Sequence, residues 1–353
     1  MAKVTIYDVA KQANCSIATV SLVLQNSGKI KPATQKRVMD AVNELGYLPN
    51  FAARSLSNNK TDLLGLIVPN VDNPLFASML RGVEECANSK GYGLILGISS
   101  LMLDKEISYI RMLKERRVDG LLVFPTFVDE IFDTFLREDH DHKDIPLVLC
   151  GSSGVREYPV SYVKCDNRVG AYMAVEHLIK IGRRRIACLC AVANRQQAQS
   201  RILGYQDALL FNGLPYDESY IYYCTQDNAD IYATTQRLLK EKPVDALFCL
   251  YDHMSIVAMN AVLSAGYRIP EDIAMIGYDN IPISQYLAIP LSTIETHGRR
   301  IGSMATELLI DKIRQPDIPC RQIQLKPDLV VRASTVGRQA APAAETPPAG
   351  PAE

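Results

Sequence analysis

The sequence has no tryptophan, only five histidines in 353 residues, and no apolar run approaching the ~20 residues that a membrane helix needs. Without tryptophan, any flat aromatic platform in a binding site must be Phe or Tyr. The missing apolar run argues against a spanning helix and leaves no membrane partner. The histidines are dispersed. His140 and His142 fall in the charged stretch REDHDHKD, His177 lies on an amphipathic pattern, and His253 and His297 stand alone, so no metal site is read from them. Catalytic signatures are missing as well. There is no GxSxG elbow, P-loop or HExxH, and no GxGxxG follows the first strand pattern. GSSG at 151–154 reads as a turn. The chain is therefore expected not to be an enzyme, and no cofactor is implied. The opening MAKVTIYDVA lacks the charged-then-apolar layout of a secretory leader, so a cytoplasmic protein is expected.

What is present is ordinary in bulk. Apolar residues make up 48% and charged residues 22%, a globular composition, and the length suits two or three domains. Nine cysteines are scattered. Cys188 and Cys190 alternate within IACLC and read as two buried thiols on one strand face rather than as metal ligands. The net charge of −1 conceals an asymmetry. Residues 1–60 hold eight Lys/Arg against three acids, whereas the remainder holds 30 against 36. A small basic module on a mildly acidic body suggests a polyanionic partner for the module, although a solvated basic face has the same composition.

Residues 5–25, TIYDVAKQANCSIATVSLVLQ, contain two short helical patterns split by a polar break. Thr5 and Asp8 fit a capping box, and Ile6, Val9, Ala10 and Ala13 form one stripe. Asn14 suits a left-handed turn, Ser16 caps a second helix, and Val20, Val23 and Leu24 face inward. A third helix starts near Pro32, with Lys31 as a poor cap. It turns Val38, Ala41, Val42 and Leu45 inward and stops at Gly46. This is a helix-turn-helix unit. Its second helix presents Ile17, Ala18, Ser21, Leu22 and Gln25 outward, either to a major groove or to another domain. In a groove, Ser16, Thr19 and Ser21 donate to phosphates, Ile17, Ala18 and Leu22 meet thymine methyls, and Gln25 pairs with adenine.

With RVMDAVNELGYLPNFAARSL following, these residues resemble the DNA-binding headpiece of the LacI/GalR (lactose-repressor) family of bacterial transcription regulators. The resemblance implies binding of double-stranded DNA, with Thr5 and Tyr7 at the start of the first helix joining the DNA-binding set. Leu22 stands where the family often has Arg or another polar residue, and Asn14-Cys15 where it often has Gly-Val. An A·T pair opposite Leu22 is therefore expected. In LPNFAARSLSNNK, residues 48–60, the stretch Phe51 to Ser57 reads as a helix too short to be stable alone in water, or as a plain linker. The resemblance makes 49–60 a hinge helix that orders on the operator, with Asn50, Ala53 and Arg54 at the groove and Leu56 as the minor-groove wedge.

From residue 61 the pattern changes to apolar strands alternating with amphipathic helices, in two series. Parallel sheets covered on both faces follow, hence two α/β lobes with a cleft at the strand ends. Those ends carry Asn73 and Phe76, Ser99 and Ser100, Thr126 and Phe127, Tyr251 and Asp252, and Asp279 and Asn280. VKCDN, SRILGYQDAL, CLYDHMSIVAM, IPEDIAMIGYDN and LSTIE extend the resemblance to about residue 335. They are similar to an effector core that shares its fold with periplasmic sugar-binding proteins.

That resemblance implies lobe 1 at about 61–161 and 294–324, and lobe 2 at about 162–293 and 325–337. Asp166, Arg201 and Asp279 become ligand contacts, joined by Arg195 and Phe76, and Asn73, Thr126 and Asp252 complete the expected ligand-binding set. Arg offers a fork of donors and Asp accepts from hydroxyls, which suits a polyol; the alternative for each Asp is a helix cap or an inter-lobe ion pair. Stacking would fall to Phe76, Phe127 or Tyr286. The tail 338–353, rich in Ala and Pro, is expected to be disordered, and without a leucine heptad a homodimer is favoured over a tetramer. The expectation is an α/β regulator with an all-α headpiece (1–48) and a two-lobed core like periplasmic binding proteins. It is read as a repressor governed by a sugar or sugar derivative. The alternative is a solute-binding protein without DNA control, which the basic headpiece argues against.

Overall fold

The computed structural model describes residues 4–24, 30–47, 60–115, 118–131, 145–151, 160–191, 195–225 and 227–337, the side chains of 195–197 excepted. The chain forms two compact units, Met1–Thr61 and Asp62–Glu353. Gln25, the hinge segment 49–59 with Asn50, Ala53, Arg54 and Leu56, the pair His140 and His142, the Arg195 side chain and the tail from 338 lie outside the described residues.

The first unit contains α1 (Ile6–Gln12), α2 (Ile17–Leu24) and α3 (Pro32–Leu45). α1 starts at Thr5, whose N–H and hydroxyl donate to the Asp8 carboxylate at 2.8 and 2.7 Å. These bonds hold Asp8 below the usual carboxylate range. Asn14 turns the chain at φ 49°. The Ser16 hydroxyl caps α2 by accepting the Thr19 amide at 3.2 Å. α3 begins on Pro32, with no side-chain cap from Lys31, and ends on Gly46 in the left-handed region at φ 59°. Val9, Ala10, Ala13, Val20, Val23, Val38, Ala41, Val42 and Tyr47 close a small core.

In the second unit, the first sheet consists of β1 (Leu63–Val68), β2 (Gly93–Ile98), β3 (Gly120–Val123), β4 (Leu147–Cys150), β5 (Ser161–Cys165) and, late in the chain, β11 (Gln322–Leu325). Its order is β11-β5-β4-β3-β1-β2, parallel throughout. Helices α4 (Pro74–Ser89), α5 (Leu103–Glu115), the short α6 (Val128–Ile131) and α11 (Gly298–Arg314) accompany it. The second sheet, β7-β6-β8-β9, is parallel and is built from β6 (Ile186–Ala191), β7 (Ile221–Cys224), β8 (Ala246–Cys249) and β9 (Ala274–Ile276). It carries α7 (Asn167–Lys180), α8 (Arg195–Phe211), α9 (Asn228–Glu241), α10 (Asp252–Ser264) and the terminal α12 (Ala333–Val336). β10 (Thr293–Glu295) and β12 (Asp328–Val330) pair antiparallel. Parallel bridges Ile276–Ser292 and Asp279–Glu295 tie this ribbon to the second sheet.

Each sheet anchors one lobe, and each has its own buried apolar cluster. The chain crosses between them three times, later than the resemblance implies for the first two crossings. β5 belongs wholly to lobe 1, so the first crossing is at Asp166 rather than at 162. β10 remains with lobe 2 and α11 packs on lobe 1, which puts the second at Thr296–His297 rather than at 294. β11 ends at Leu325, which puts the third at 326–327. Hydrogen bonding decides these points: a residue stays with the sheet whose ladder satisfies its backbone. The alternating series also passes over β7, α9 and α11. Cys188 and Cys190 are buried on β6. Among the described residues, no helix is long and apolar enough to cross a membrane.

Candidate functional site

In the helical unit, the residues expected to meet DNA are graded by burial. Tyr7, at 68% exposure, and Ile17, at 39%, are the exposed large apolar groups of α1 and α2. Ala18, Ser16 and Thr5 are also exposed, whereas Thr19, Ser21 and Leu22 are half-buried. Ser16 and Thr19 share a hydroxyl–hydroxyl bond of 2.9 Å, so these two phosphate-donor candidates are oriented by each other. Gln12 donates to Glu44 at 3.0 Å, tying α1 to α3 and fixing the pose of the pair. α2 spends Val20 and Val23 on the core and leaves Ile17 and Ala18 free to touch a surface.

In the α/β unit, the strand ends of the two lobes enclose a cavity. Arg201, on α8, is its polar centre and is only 2% exposed. Its Nε donates to Asn167 Oδ1 at 3.0 Å, its Nη2 to Asp279 Oδ1 at 3.1 Å, and its Nη1 to the Leu250 carbonyl. The guanidinium carbon lies 3.7 Å from the Tyr278 ring centroid and 4.8 Å from that of Tyr251. Arg can serve here because its five donors form a rigid fork and its charge persists when buried. Burial pushes Asp279 upward, and Arg201 beside it draws it back. Asp279 sits at φ 110° and Asn280 at φ 49°, backbone that non-glycine residues rarely adopt, immediately after β9. Asn280 is held there by Arg332 and Glu295, at 2.7 Å each.

Four buried polar atoms near these strand ends have no hydrogen-bond partner: Asp279 Oδ2, the Tyr251 hydroxyl, and the Oγ1 atoms of Thr296 and Thr126. Buried polar groups are rarely left unpaired, and such exceptions need a ligand or water to explain them. Thr296 and Arg201 line the cavity itself. Its free volume is about 30 Å³, room for little more than a water. A second space of about 270 Å³, between the 70–73 turn of lobe 1 and the 251–254 segment of lobe 2, is lined by Asn70, Asp72, Asn73, Tyr251, His253 and Met254.

The structure sorts the expected ligand residues. Arg201 and Asp279 meet as an ion pair, and Phe76 lines the inner cavity, edge-on to Phe124 at 6.2 Å between ring centroids. Asn73 caps α4 by accepting from Leu75 N–H at 3.0 Å and lines the outer space. Asp166 is the N-cap of α7. One oxygen accepts from Val169 N–H at 3.0 Å and the other from the Gln324 amide, so the helix-cap alternative holds and both oxygens are already engaged. Asp252 turns inward. Its carboxylate accepts from Ile281 N–H, the Ser284 hydroxyl and the Thr293 hydroxyl at 2.9, 2.7 and 2.6 Å, so it braces the 279–293 loop instead of facing the cleft. Burial raises it to about 6. Thr126 is buried beside Glu106, whose oxygens accept its N–H at 3.2 and 3.4 Å, and it lines neither space. Phe124 occupies the place expected for Phe127, and Tyr286 stands 74% exposed on the surface. Thr296 and Asn167, both on crossings, and Phe124 are the residues that sequence reasoning passed over. A strand-end position directly after β3, three residues before Phe127, is the one signal that could have found Phe124. Among the described residues, no three His, Cys, Asp or Glu side chains converge as a metal site.

Comparison with known proteins gives concordant results. Residues 61–331 match the family described as periplasmic binding proteins and sugar binding domain of LacI family, and residues 5–50 match bacterial regulatory proteins of the lacI family. The HTH-type transcriptional repressor PurR of Aliivibrio fischeri is 36% identical over 337 residues, spanning 95% of this chain and 99% of that protein. The transcriptional regulator CelR, solved as a cellobiose complex, is 29% identical with a TM-score of 0.71, over 94% of this chain and 100% of its own. The Lac repressor dimer bound to operator shares the fold, with a TM-score of 0.81 at 23% identity, over 95% of this chain and 99% of its own.

Proposed function

The chain belongs to the LacI family of bacterial regulatory proteins, and we propose on that premise how its two units cooperate. It is a DNA-binding transcriptional repressor, not an enzyme, and a small molecule sets its affinity for the operator. The effector, a sugar or sugar derivative in this reading, is held between the lobes by Arg201 and Asp279. Asn167, Thr296 and Phe76 complete the contact. The observation that carries this reading is a buried guanidinium–carboxylate pair with one carboxylate oxygen unsatisfied, whose arginine lines a cavity with room for little more than a water.

A ligand of sugar size enters only when the lobes part, so occupancy and lobe angle are coupled. The ligand shifts DNA affinity as far as it prefers one lobe arrangement over the other. Two copies related by a two-fold axis read a near-palindromic operator, because half-site symmetry mirrors protein symmetry. Ile17, Ala18 and Leu22 are proposed to face bases, with Thr5, Tyr7, Ser16, Thr19 and Ser21 toward the backbone. Gln25, Asn50, Ala53, Arg54 and Leu56 are proposed to complete the DNA-binding set, with Leu56 as the wedge of the coupling segment 49–60. Supporting the base-facing role of α2 is its outward pair, Ile17 and Ala18, which the core of its unit does not use.

The test is fluorescence anisotropy of a selected operator duplex with the full-length protein, across salt and against a panel of sugars, phosphosugars and nucleosides. Binding should fall steeply and linearly in log–log form with salt, as counterion release requires. At least one panel member should shift the binding curve. Salt-independent binding, or a body that captures no metabolite, would refute the proposal.

A further inference from the structure

Among the described residues of lobe 1, Glu106 is the one acidic side chain fully removed from solvent. It stands in the first turn of α5, the helix that packs on β1 and β2. Its two oxygens share a single donor, the Thr126 N–H, at 3.2 and 3.4 Å. A carboxylate offers about four lone-pair sites, and a buried one so poorly served is costly. Among the described residues no cation pairs with it. Lys105, beside it on α5, turns to the Ser100 hydroxyl at 3.5 Å, and Asp104 on the same helix is acidic. α6 brings two more acids, Asp129 and Glu130. The strand ends at 66–70 and 96–100 and the segment 121–127 carry no charged side chain. A proton on Glu106 removes the charge and creates a donor. The buried Thr126 Oγ1, which has no hydrogen-bond partner, is the acceptor beside it.

Thr126 lies in the segment that leaves β3. Phe124 and Pro125, just before it, line the inner cavity, and the Phe127 carbonyl after it accepts the Ile131 N–H of α6 at 2.9 Å. The Glu106 contact is where α5 grips this segment by its backbone. Burial lifts Glu106 to about 7; the Thr126 N–H and side chain draw it down, and the Glu130 charge lifts it. We propose that Glu106 is a proton-operated strut: carrying its proton it seats the 124–131 segment, and ionised it releases it, so that pH adjusts the lobe 1 wall of the inner cavity. This is a second input beside the small molecule, and it holds whatever that molecule is. Opening the segment gives the carboxyl to water, where it ionises from about pH 4.5 upward. Opening therefore becomes easier as pH rises through that range. It levels off above about pH 7, where the seated form has ionised too.

The test is hydrogen–deuterium exchange of the full-length protein, read on peptides spanning 120–131. The intrinsic chemical rate is divided out, and peptides from β6 and β7 serve as reference. Protection of 120–131 relative to that reference should fall about tenfold or more between pH 5 and pH 7 and then level off, as release of one proton requires. Glu106→Gln imitates the protonated form, with an oxygen for the Thr126 N–H and an amide donor for its hydroxyl. It should hold protection within about twofold over the same range. Equal protection of the parent at pH 5 and pH 7, or a Gln variant that falls as steeply as the parent, would overturn the inference. If Glu106→Gln does not fold, Glu130→Lys decides, because residue 130 is exposed. A cation in place of that acid should shrink the fall and end it at lower pH, and an undiminished fall would overturn the inference.

Discussion

Arg201 has two roles that a substitution separates. It is proposed to hold the ligand, and it neutralises Asp279 at the base of the cleft. Removing one partner of a buried pair strands the other charge, at a cost of about 3–5 kcal/mol. Arg201→Met alone should therefore lose effector response and also melt early. Adding Asp279→Asn should restore most of the stability but none of the response, as chemical denaturation and calorimetry would show. A double variant that still responds would place the ligand elsewhere. Glu106 makes a different prediction. It is fully buried, with the Thr126 N–H as its hydrogen-bond donor, and burial raises it to about 7. Between the ordinary carboxylate range and about pH 7 the native state holds the extra proton. Its contribution to stability is thus complete at low pH and is lost as pH rises through about 7. Glu106→Gln should flatten, though not abolish, the fall in melting temperature between about pH 4.5 and 7, because Asp252 and Asp279 share the same sign. A variant that falls as steeply as the parent would acquit Glu106.

The helices of each lobe meet at glycines. A methyl on Gly302 of α11 would collide with the Met79 carbonyl, and one on Gly82 of α4 with the Arg299 carbonyl, so the two helices touch backbone to backbone. Gly204 of α8 does the same against Arg168 of α7. In an exposed helix, Gly→Ala stabilises by roughly 0.5–1 kcal/mol. Here the sign should reverse. Gly302→Ala should destabilise by about 1–3 kcal/mol or more, the cost of overpacking, as urea titration would reveal. A stabilised variant would mean that α4 and α11 are farther apart than described. In the helical unit, the capping box at Thr5, the left-handed Asn14 and the Gly46 stop were all legible from residue type, because each is a local backbone requirement satisfied by neighbours in sequence.

Modularity belongs to the whole molecule. If segment 49–60 couples reader to sensor, Leu56→Ala should weaken operator affinity tenfold or more while leaving effector affinity within about twofold. The Arg201 and Asp279 double variant should show the opposite pattern. Anisotropy and calorimetry on the same preparations would decide, and equal loss of both activities in either variant would contradict the division of labour. The sequence alone determined the helix-turn-helix and the two parallel α/β lobes, and the family resemblance singled out Arg201 and Asp279, which the fold brings together as a buried ion pair. Periodicity, caps and strand-end position are written in stretches of a few residues, and the family resemblance supplied the alignment of the rest. Only the tertiary structure decided that Asp166 caps a helix, that Asp252 braces a loop and that Phe124 rather than Phe127 faces the cavity. Those outcomes depend on which donors reach a carboxylate from residues as far apart as Asp166 and Gln324 or Asp252 and Thr293. That is a property of packing between distant segments, on which neither local pattern nor composition has any purchase.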